Sequence, residues 1–399
     1  MNILFISPSN NIGGAEISLI ETIKFLEKSK VKCYVLMPKS KENLCGEVLE
    51  KIATKVFYHK IPVFSTSNIK SLSIRSIITR LYSYYKNGFH YSTVKYIQSI
   101  IKSHKIDLVH TNTVHSIVGK IAANKVKIPH ILHIREITGY SKYSHVFLPN
   151  QDKPNFKERF GNHDGLISNS NFCLTENREY FKGKVEKVFY NPISSEFEPS
   201  INNNNYFTIG MVANLTSQLK NHSEFINICK TLHSINPNTQ FMIFGKLPPA
   251  ENSYLMQLQK QIEELELGNS FELIGLCDKK DIYSKIDIMI HPYPNESFGR
   301  IFIEAMTAGV PIVATASGGA LELINDNETG LLYEVGKTEV AAQKVMRIIT
   351  DENLREKLIE NGKQKAKEFL PDVVLSELLE FYYAVLEDYQ INNLSKLRN

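Results

Sequence analysis

Two glutamates stand eight positions apart in the run Pro292-Tyr293-Pro294-Asn295-Glu296-Ser297-Phe298-Gly299-Arg300-Ile301-Phe302-Ile303-Glu304. Glu296 falls in a loop flanked by glycine and proline, where a carboxylate can read sugar hydroxyls. Glu304 is set among Ile301, Phe302, Ile303, Ala305 and Met306, a costly place for an unpaired charge. A carboxylate there suits the paired hydroxyls of a ribose; a salt-bridged helix glutamate fits the same pattern. Lys220 follows the segment Gly210-Met211-Val212-Ala213-Asn214. A lysine just past the first strand of a sheet lies at the strand's carboxyl end, where such folds bind ligands. Its ammonium could neutralise a departing diphosphate, with Arg300 as a further cation; a solvated surface lysine is the competing reading. Gly13-Gly14-Ala15-Glu16 lies between a predicted strand and helix. Glycines there allow close approach of a ligand, and a helix N-terminus offers amides to phosphate. A plain tight turn accounts for them equally, because neither the dinucleotide fingerprint nor a P-loop is present.

Positioning these residues requires two successive β/α arrays. Short apolar runs at 2–7, 32–37, 55–58, 107–110, 130–134 and 165–168 alternate with helical patterns. Runs of this length without polar alternation indicate a parallel sheet covered on both faces. Asn191-Pro192 and the polar tract Asn202-Asn203-Asn204-Asn205 then mark a linker at about 191–205. The alternation restarts at 208–212, 240–244, 271–274, 286–291, 311–315 and 330–333, with helical patterns such as 254–267 and 302–307. After Pro371, Val374, Leu375, Leu378, Leu379, Tyr382, Val385, Leu386 and Tyr389 form one helical apolar face that needs a surface to pack on. The expected division is 1–190 with 372–399 returning to it, and 206–371.

Composition excludes several classes. The 399 residues are 43% hydrophobic and 22% charged, ordinary globular values. No apolar run approaches the ~18 residues a membrane span needs. The N-terminus reads as a first strand rather than a signal peptide, so a cytoplasmic protein is expected. The five cysteines, Cys33, Cys45, Cys173, Cys229 and Cys277, have no metal or disulfide spacing and read as buried reduced thiols. Ten of the 46 Lys and Arg fall between Lys51 and Ile106 with no Asp or Glu among them, while the rest of the chain is net acidic. Such a stretch suits an anionic surface or ligand. No recognised nucleic-acid module accompanies it, and nucleic-acid binding is not expected.

The stretch from Glu296 to Gly330, with Ser317-Gly318-Gly319 and Glu322, resembles the signature of the retaining family-4 glycosyltransferases. Glu296 and Glu304 match that family's Glu-x7-Glu motif, Gly13-Gly14 its Gly-Gly loop and Lys220 its phosphate-binding lysine. His133, in His133-Ile134-Arg135-Glu136, matches its mid-chain histidine, and Asn191-Pro192 resembles its interdomain element. The resemblance implies the GT-B fold: two Rossmann-like β/α/β domains facing a central cleft, with a C-terminal helix crossing back to the first. The N-terminal domain would bind the acceptor and the C-terminal domain the nucleotide-sugar donor, with a UDP or GDP base. The family's roles place His133, Lys220 and Glu296 in catalysis. Gly13, Gly14, Asn214, Lys220, Ser297, Phe298, Gly299, Arg300 and Glu304 are placed on the donor. Asn214 stands where the family usually has an arginine.

The implied reaction moves a sugar onto a glycan, lipid-linked or other acceptor hydroxyl in bacterial surface polysaccharide synthesis, with retention of configuration. No Asp-x-Asp pair occurs in the chain, so neither a metal nor another cofactor is expected. With no glutamate placed by motif as a covalent nucleophile, front-face attack assisted by the departing phosphate is favoured. Two alternatives are a nucleotide-sugar 2-epimerase, which leaves the combined motifs unexplained, and a non-catalytic partner of an active transferase, which the Asn214 substitution would suit. On the acceptor side, Ile74, Ile77, Ile78, Leu81 and Tyr85 form a helical face flanked by Arg75 and Arg80, with Tyr82, Tyr84, Phe89 and Tyr91 nearby. It would dock on the anionic inner membrane face or pack on the first sheet. Arg135 and Glu136 are assigned to the same side. Oligomeric state is not read from the sequence.

Overall fold

The computed structural model describes residues 1–40, 43–63, 90–139, 144, 146–148, 156–194, 206–216 and 218–398. Among them the chain forms two compact units, Met1–Pro192 with Pro371–Asn399, and Ile193–Leu370.

The first unit is built on a parallel sheet of order β3-β2-β1-β4-β5-β6-β7. Its strands are β1 (Asn2–Ile6), β2 (Lys32–Met37), β3 (Lys55–Tyr58), β4 (Leu108–Thr111), β5 (His130–Ile134), β6 (Asn162–Ser168) and β7 (Lys182–Val188). The continuous apolar runs have a direct cause in the packing. On β1, Ile3 and Phe5 enter one core with Leu19, Ile23 and Phe381, while Leu4 and Ile6 enter another with Ile97, Ile101 and Val118. Alternate side chains point to opposite faces, and helices cover both.

The segment after Pro371 packs within this unit, but as two helices, Pro371–Val374 and Leu378–Arg398, rather than one. The longer helix approaches β6 so closely that a Cβ at Gly165 would lie 2.8 Å from Val385. Phe381 stacks edge-on against Phe189, and the Tyr382 hydroxyl lies 2.8 Å from His110 Nδ1.

Strand β7 was not expected. Its sequence, KGKVEKV, lacks the continuous apolar run of the other strands because it is a half-exposed edge strand.

The second unit repeats the plan in a parallel sheet of order β10-β9-β8-β11-β12-β13. These are β8 (Phe207–Val212), β9 (Thr239–Phe244), β10 (Phe271–Leu273), β11 (Ile288–His291), β12 (Ile312–Thr315) and β13 (Leu331–Tyr333). The unit closes on itself where the Ile193 amide donates to the Phe369 carbonyl at 2.9 Å. Cys33, Cys45, Cys173 and Cys229 are buried free thiols, whereas Cys277 is half-buried. Among the described residues no helix is long and apolar enough to cross a membrane.

Candidate functional site

In the second unit the chemistry gathers at the carboxyl ends of β8 and β11. The chain leaves β8 through Asn214 and makes one 3-10 turn, Gln218–Lys220. Lys220 Nζ donates to Glu296 Oε2 at 2.8 Å and lies 4.1 Å from the centre of the Tyr293 ring. His291, the last residue of β11 and 1% exposed, places Nε2 3.2 Å from the same carboxylate oxygen. Burial alone would raise the Glu296 carboxyl, but the Lys220 ammonium and the bonds from both partners outweigh it and hold it far below the usual carboxylate range.

The loop that carries Glu296 is clamped from β12. Gly318 adopts φ +61°, and a Cβ there would meet the Glu296 carbonyl at 2.7 Å. The Gly319 amide donates to that carbonyl at 2.8 Å, and Ser317 Oγ donates to the Pro294 carbonyl at 2.7 Å. The Ser317-Gly318-Gly319 motif therefore works as a brace. Ser297 is half-buried on this loop. The Phe298 side chain is 1% exposed and packs on Phe369, so it belongs to the core. Gly299, at φ +98°, caps the helix Arg300–Thr307.

Glu304, 5% exposed on that helix, is not left unpaired. Its Oε1 receives Lys279 Nζ and lies 3.6 Å from Arg300 Nε, one helical turn away. Its Oε2 has the Tyr283 hydroxyl at 3.4 Å. Asn214 lies exposed and uses its Oδ1 to accept the Lys246 amide at 2.8 Å, tying the β8 loop to the β9 loop.

In the first unit a second cluster forms at the carboxyl ends of β4, β5, β6 and β7, with Arg135 at its centre. The guanidinium is buried; its Nε donates to Asn112 Oδ1 at 3.1 Å, Nη1 to Asn191 Oδ1, and Nη2 reaches His133 Nδ1 at 3.3 Å. Asn112 in turn donates to the Ala15 carbonyl at 3.3 Å, and Asn169 to the Arg135 carbonyl at 3.2 Å. Burial, then Arg135 and His110, keep His133 well below its ordinary value, so it is neutral. Because a guanidinium only donates, His133 Nδ1 accepts and Nε2 carries the proton. Arg135, assigned to the acceptor side, is buried and holds His133 through Nη2. Glu136 pairs with His115 Nε2 at 3.6 Å.

Gly13 caps the helix Gly14–Lys28. Glu16, three residues on, turns its carboxylate back toward the start of the helix, against its own backbone and that of Gly13. Arg75 and Arg80, with the apolar face between them, lie outside the described residues. Sequence reasoning missed Lys279, Tyr283, His291, Asn112 and Asn169. Only His291 left a signal, since it ends an apolar strand as His133 does.

Two family models match the chain: Glycosyltransferase Family 4 over residues 12–197 and Glycosyl transferases group 1 over residues 193–365. A Staphylococcus aureus capsular polysaccharide biosynthesis glycosyltransferase, CapM, is 27% identical over 203 residues, 50% of this chain and 51% of that protein. The N-acetyl-alpha-D-glucosaminyl L-malate synthase of Bacillus anthracis is 34% identical over 129 residues, 32% of this chain and 34% of the relative. The chain thus spans about half or less of the length of these curated relatives. Anabaena HepE, solved in complex with UDP-glucose, superposes with a TM-score of 0.76 at 22% identity over 96% of this chain and 100% of that one. The lipopolysaccharide outer core galactosyltransferase WaaB superposes at 0.67, with 16% identity, 96% of this chain and 99% of the other. At these identities the likeness shows the fold alone. With adjoining models covering both units and two parallel Rossmann-like sheets, the chain belongs to the family-4 glycosyltransferases and has the GT-B fold.

Proposed function

We propose that this glycosyltransferase moves a sugar from a UDP- or GDP-sugar to a hydroxyl of a glycan or lipid-linked acceptor, in the building of a surface polysaccharide. The observation that carries the reading is the meeting of Lys220 and Glu296 at 2.8 Å beside buried His291, at the ligand-binding edge of the second sheet. The Anabaena neighbour's UDP-glucose and the capsular role of the S. aureus relative support the donor class and the setting.

In this reading Glu304 takes the ribose hydroxyls through Oε2, whose contact with Tyr283 is long at 3.4 Å. The donor's diphosphate draws the Lys220 ammonium from Glu296, and Glu296 then accepts hydroxyls of the sugar. As the bond from the anomeric carbon to the phosphate oxygen breaks, charge grows on the diphosphate, where Lys220 and Arg300 stabilise it. The acceptor oxygen bonds to the same face of the anomeric carbon, and its proton passes to the departing phosphate oxygen, which gives retention. His133 serves as a neutral Nε2–H donor to the sugar or its phosphate and not as a base.

No metal is assigned to the step, because the chain lacks the Asp-x-Asp pair that holds one across phosphates. Asn214 braces the loop where the family has a cation, through the Lys246 backbone amide. Docking of the 51–106 stretch on an anionic inner membrane face completes the reading. Liposome co-sedimentation tests it: binding should need anionic lipid, fall with salt and weaken in Arg75→Glu with Arg80→Glu.

A thermal-shift screen of nucleotide sugars, followed by nucleoside diphosphate release in the presence of a glycan acceptor extract, tests the whole. One donor should raise the melting temperature, and acceptor-dependent release should persist in EDTA. No shift with any donor and no release would overturn the reading in favour of a non-catalytic partner. Metal-reversible loss in EDTA would overturn the metal-free step.

A further inference from the structure

The opposite edge of the first sheet holds a charged group that the proposed reaction does not use. Lys120, on the helix Val118–Val126, is 6% exposed, and its Nζ has no hydrogen-bond partner among the described residues. Lysines are almost never buried so deeply without one. A carboxylate is at hand in Asp164, but it is already engaged. Its Oδ1 receives Lys184 Nζ at 2.9 Å, and its Oδ2 receives the His130 amide at 3.1 Å. Lys184 also lies 3.8 Å from Asp388.

Two histidines complete the group. His130 and His163 approach Nδ1 to Nδ1 at 3.1 Å, and His130 Nε2 is tied to Thr111 Oγ1 at 2.8 Å. His163 Nε2, like Lys120 Nζ, is buried with no partner in hydrogen-bond geometry among the described residues, and the Phe160 backbone is the ring's further neighbour. Burial holds both rings neutral, and it brings Lys120 down to about 8.

Lys120, His130 and His163 form the wall between two spaces. On one side is an apolar cavity of about 40 Å³ against Phe156, Phe160 and Phe181. On the other is an open pocket of about 420 Å³ whose rim carries Asn124, Glu158, Asn162, Lys182 and Lys184. The open pocket is in the size range of small-molecule sites, about 300–1,000 Å³. The apolar cavity has room for little more than a water, too little for an acyl chain. His130, Asn162 and Lys182 each begin a strand of the parallel sheet. The pocket is therefore at the amino ends of β5, β6 and β7, whereas His133 and Arg135 stand at the carboxyl end of β5.

From this geometry we infer that the pocket is a second, anion-binding site, which takes a small soluble molecule bearing a phosphate group against Lys120 Nζ and His163 Nε2. The lysines of the helix and of β7 supply the charge, and the asparagines and the bare ring nitrogen supply directed contacts. A phosphorylated monosaccharide fits the space. The site is independent of the donor assignment in the second unit.

The test is calorimetric titration of the full chain with inorganic phosphate and with glycerol 3-phosphate, at fixed ionic strength. Wild type should bind with a millimolar or tighter Kd, and Lys120→Met should weaken binding at least tenfold, about 1.4 kcal/mol. Affinity should fall between about pH 7 and pH 9.5 as Lys120 loses its proton. Should Lys120→Met fail to fold, nitrogen NMR of the histidine rings in wild type decides. His163 Nε2 should shift saturably with phosphate and not with chloride. Equal affinity in Lys120→Met, an equal response to chloride, or no saturable binding would overturn the site. Binding only to vesicles containing phosphatidic acid, and to neither soluble phosphate, would overturn the soluble-ligand assignment.

Discussion

The carboxyl edges of the two sheets solve the same problem with different electrostatics. In the second unit each carboxylate meets cations: Glu296 meets Lys220, and Glu304 meets Lys279 and Arg300. The lysines of these pairs, Lys220 and Lys279, are the members that reach solvent, so each cation can turn from its carboxylate to a ligand anion. In the first unit the buried guanidinium of Arg135 donates to three neutral groups, Asn112, Asn191 and His133, and acts on the carboxylates of Glu136 and Glu16 only through its field. Nothing there exchanges without leaving buried polar atoms bare. The difference is one of exchange: the charged cluster of the second unit can trade partners, whereas the hydrogen-bonded cluster of the first fixes one ring tautomer.

The comparison predicts opposite outcomes for removing the central cation of each cluster. Lys220→Ala should lower kcat by on the order of 10²–10³-fold, as loss of a charge-stabilising donor does, with KM less affected and a fall in melting temperature, because Glu296 loses the cation that keeps it ionised, smaller than the one Arg135→Met produces. A steady-state assay beside a melting curve measures both; a large loss of stability with normal kcat would reverse the assignment. Arg135→Met should do the converse first, destabilising the fold by roughly 2–4 kcal/mol because three polar partners lose their donor. Urea unfolding reads this directly, and a change below about 0.5 kcal/mol would show the network to be unimportant.

A smaller effect separates the histidines. Burial alone would lower His115, but Glu136 beside it outweighs burial and raises it, while burial followed by Arg135 and His110 keeps His133 far below the ordinary value. A raised histidine adds stability below its unfolded value of about 6.5, and that stability is lost as pH rises through the folded value. Glu136 is lowered, so its share is present above the usual carboxylate range and lost as pH falls below it. NMR titration should show His115 protonating above its ordinary value and His133 remaining neutral. Glu136→Gln should bring His115 below its ordinary value and cost under about 1 kcal/mol in mildly acidic solution. A titrating His133 would contradict the fixed tautomer.

The parts of this arrangement differed in how far they could be read from the chain. Apolar runs such as Ile3–Ile6 announced covered parallel strands because both faces are buried. KGKVEKV did not, because an edge strand needs only one covered side. Glu296, Glu304 and Lys220 were legible because loop glycines and an apolar helix face make charges conspicuous there. Their partners were not: Lys279 lies 25 positions from Glu304, and only the fold brings it near. Arg135 was visible as a charge, but sequence spacing does not show that Asn112 and Asn191 converge on it. Asn214 looked like a lost charge, and the structure gives it a loop-bracing bond instead.

The central claim, that the second unit's ion-paired carboxylates and lysine hold a nucleotide-sugar donor, is tested most directly by isothermal titration with UDP- and GDP-sugars. Wild type, Glu304→Ala and Lys279→Ala would be compared in EDTA. Wild type should bind one base class, Glu304→Ala should bind it at least tenfold more weakly, about 1.4 kcal/mol, and Lys279→Ala should bind as well as wild type or better, because it frees the carboxylate. Equal affinity in wild type and Glu304→Ala, both folded, would contradict the claim.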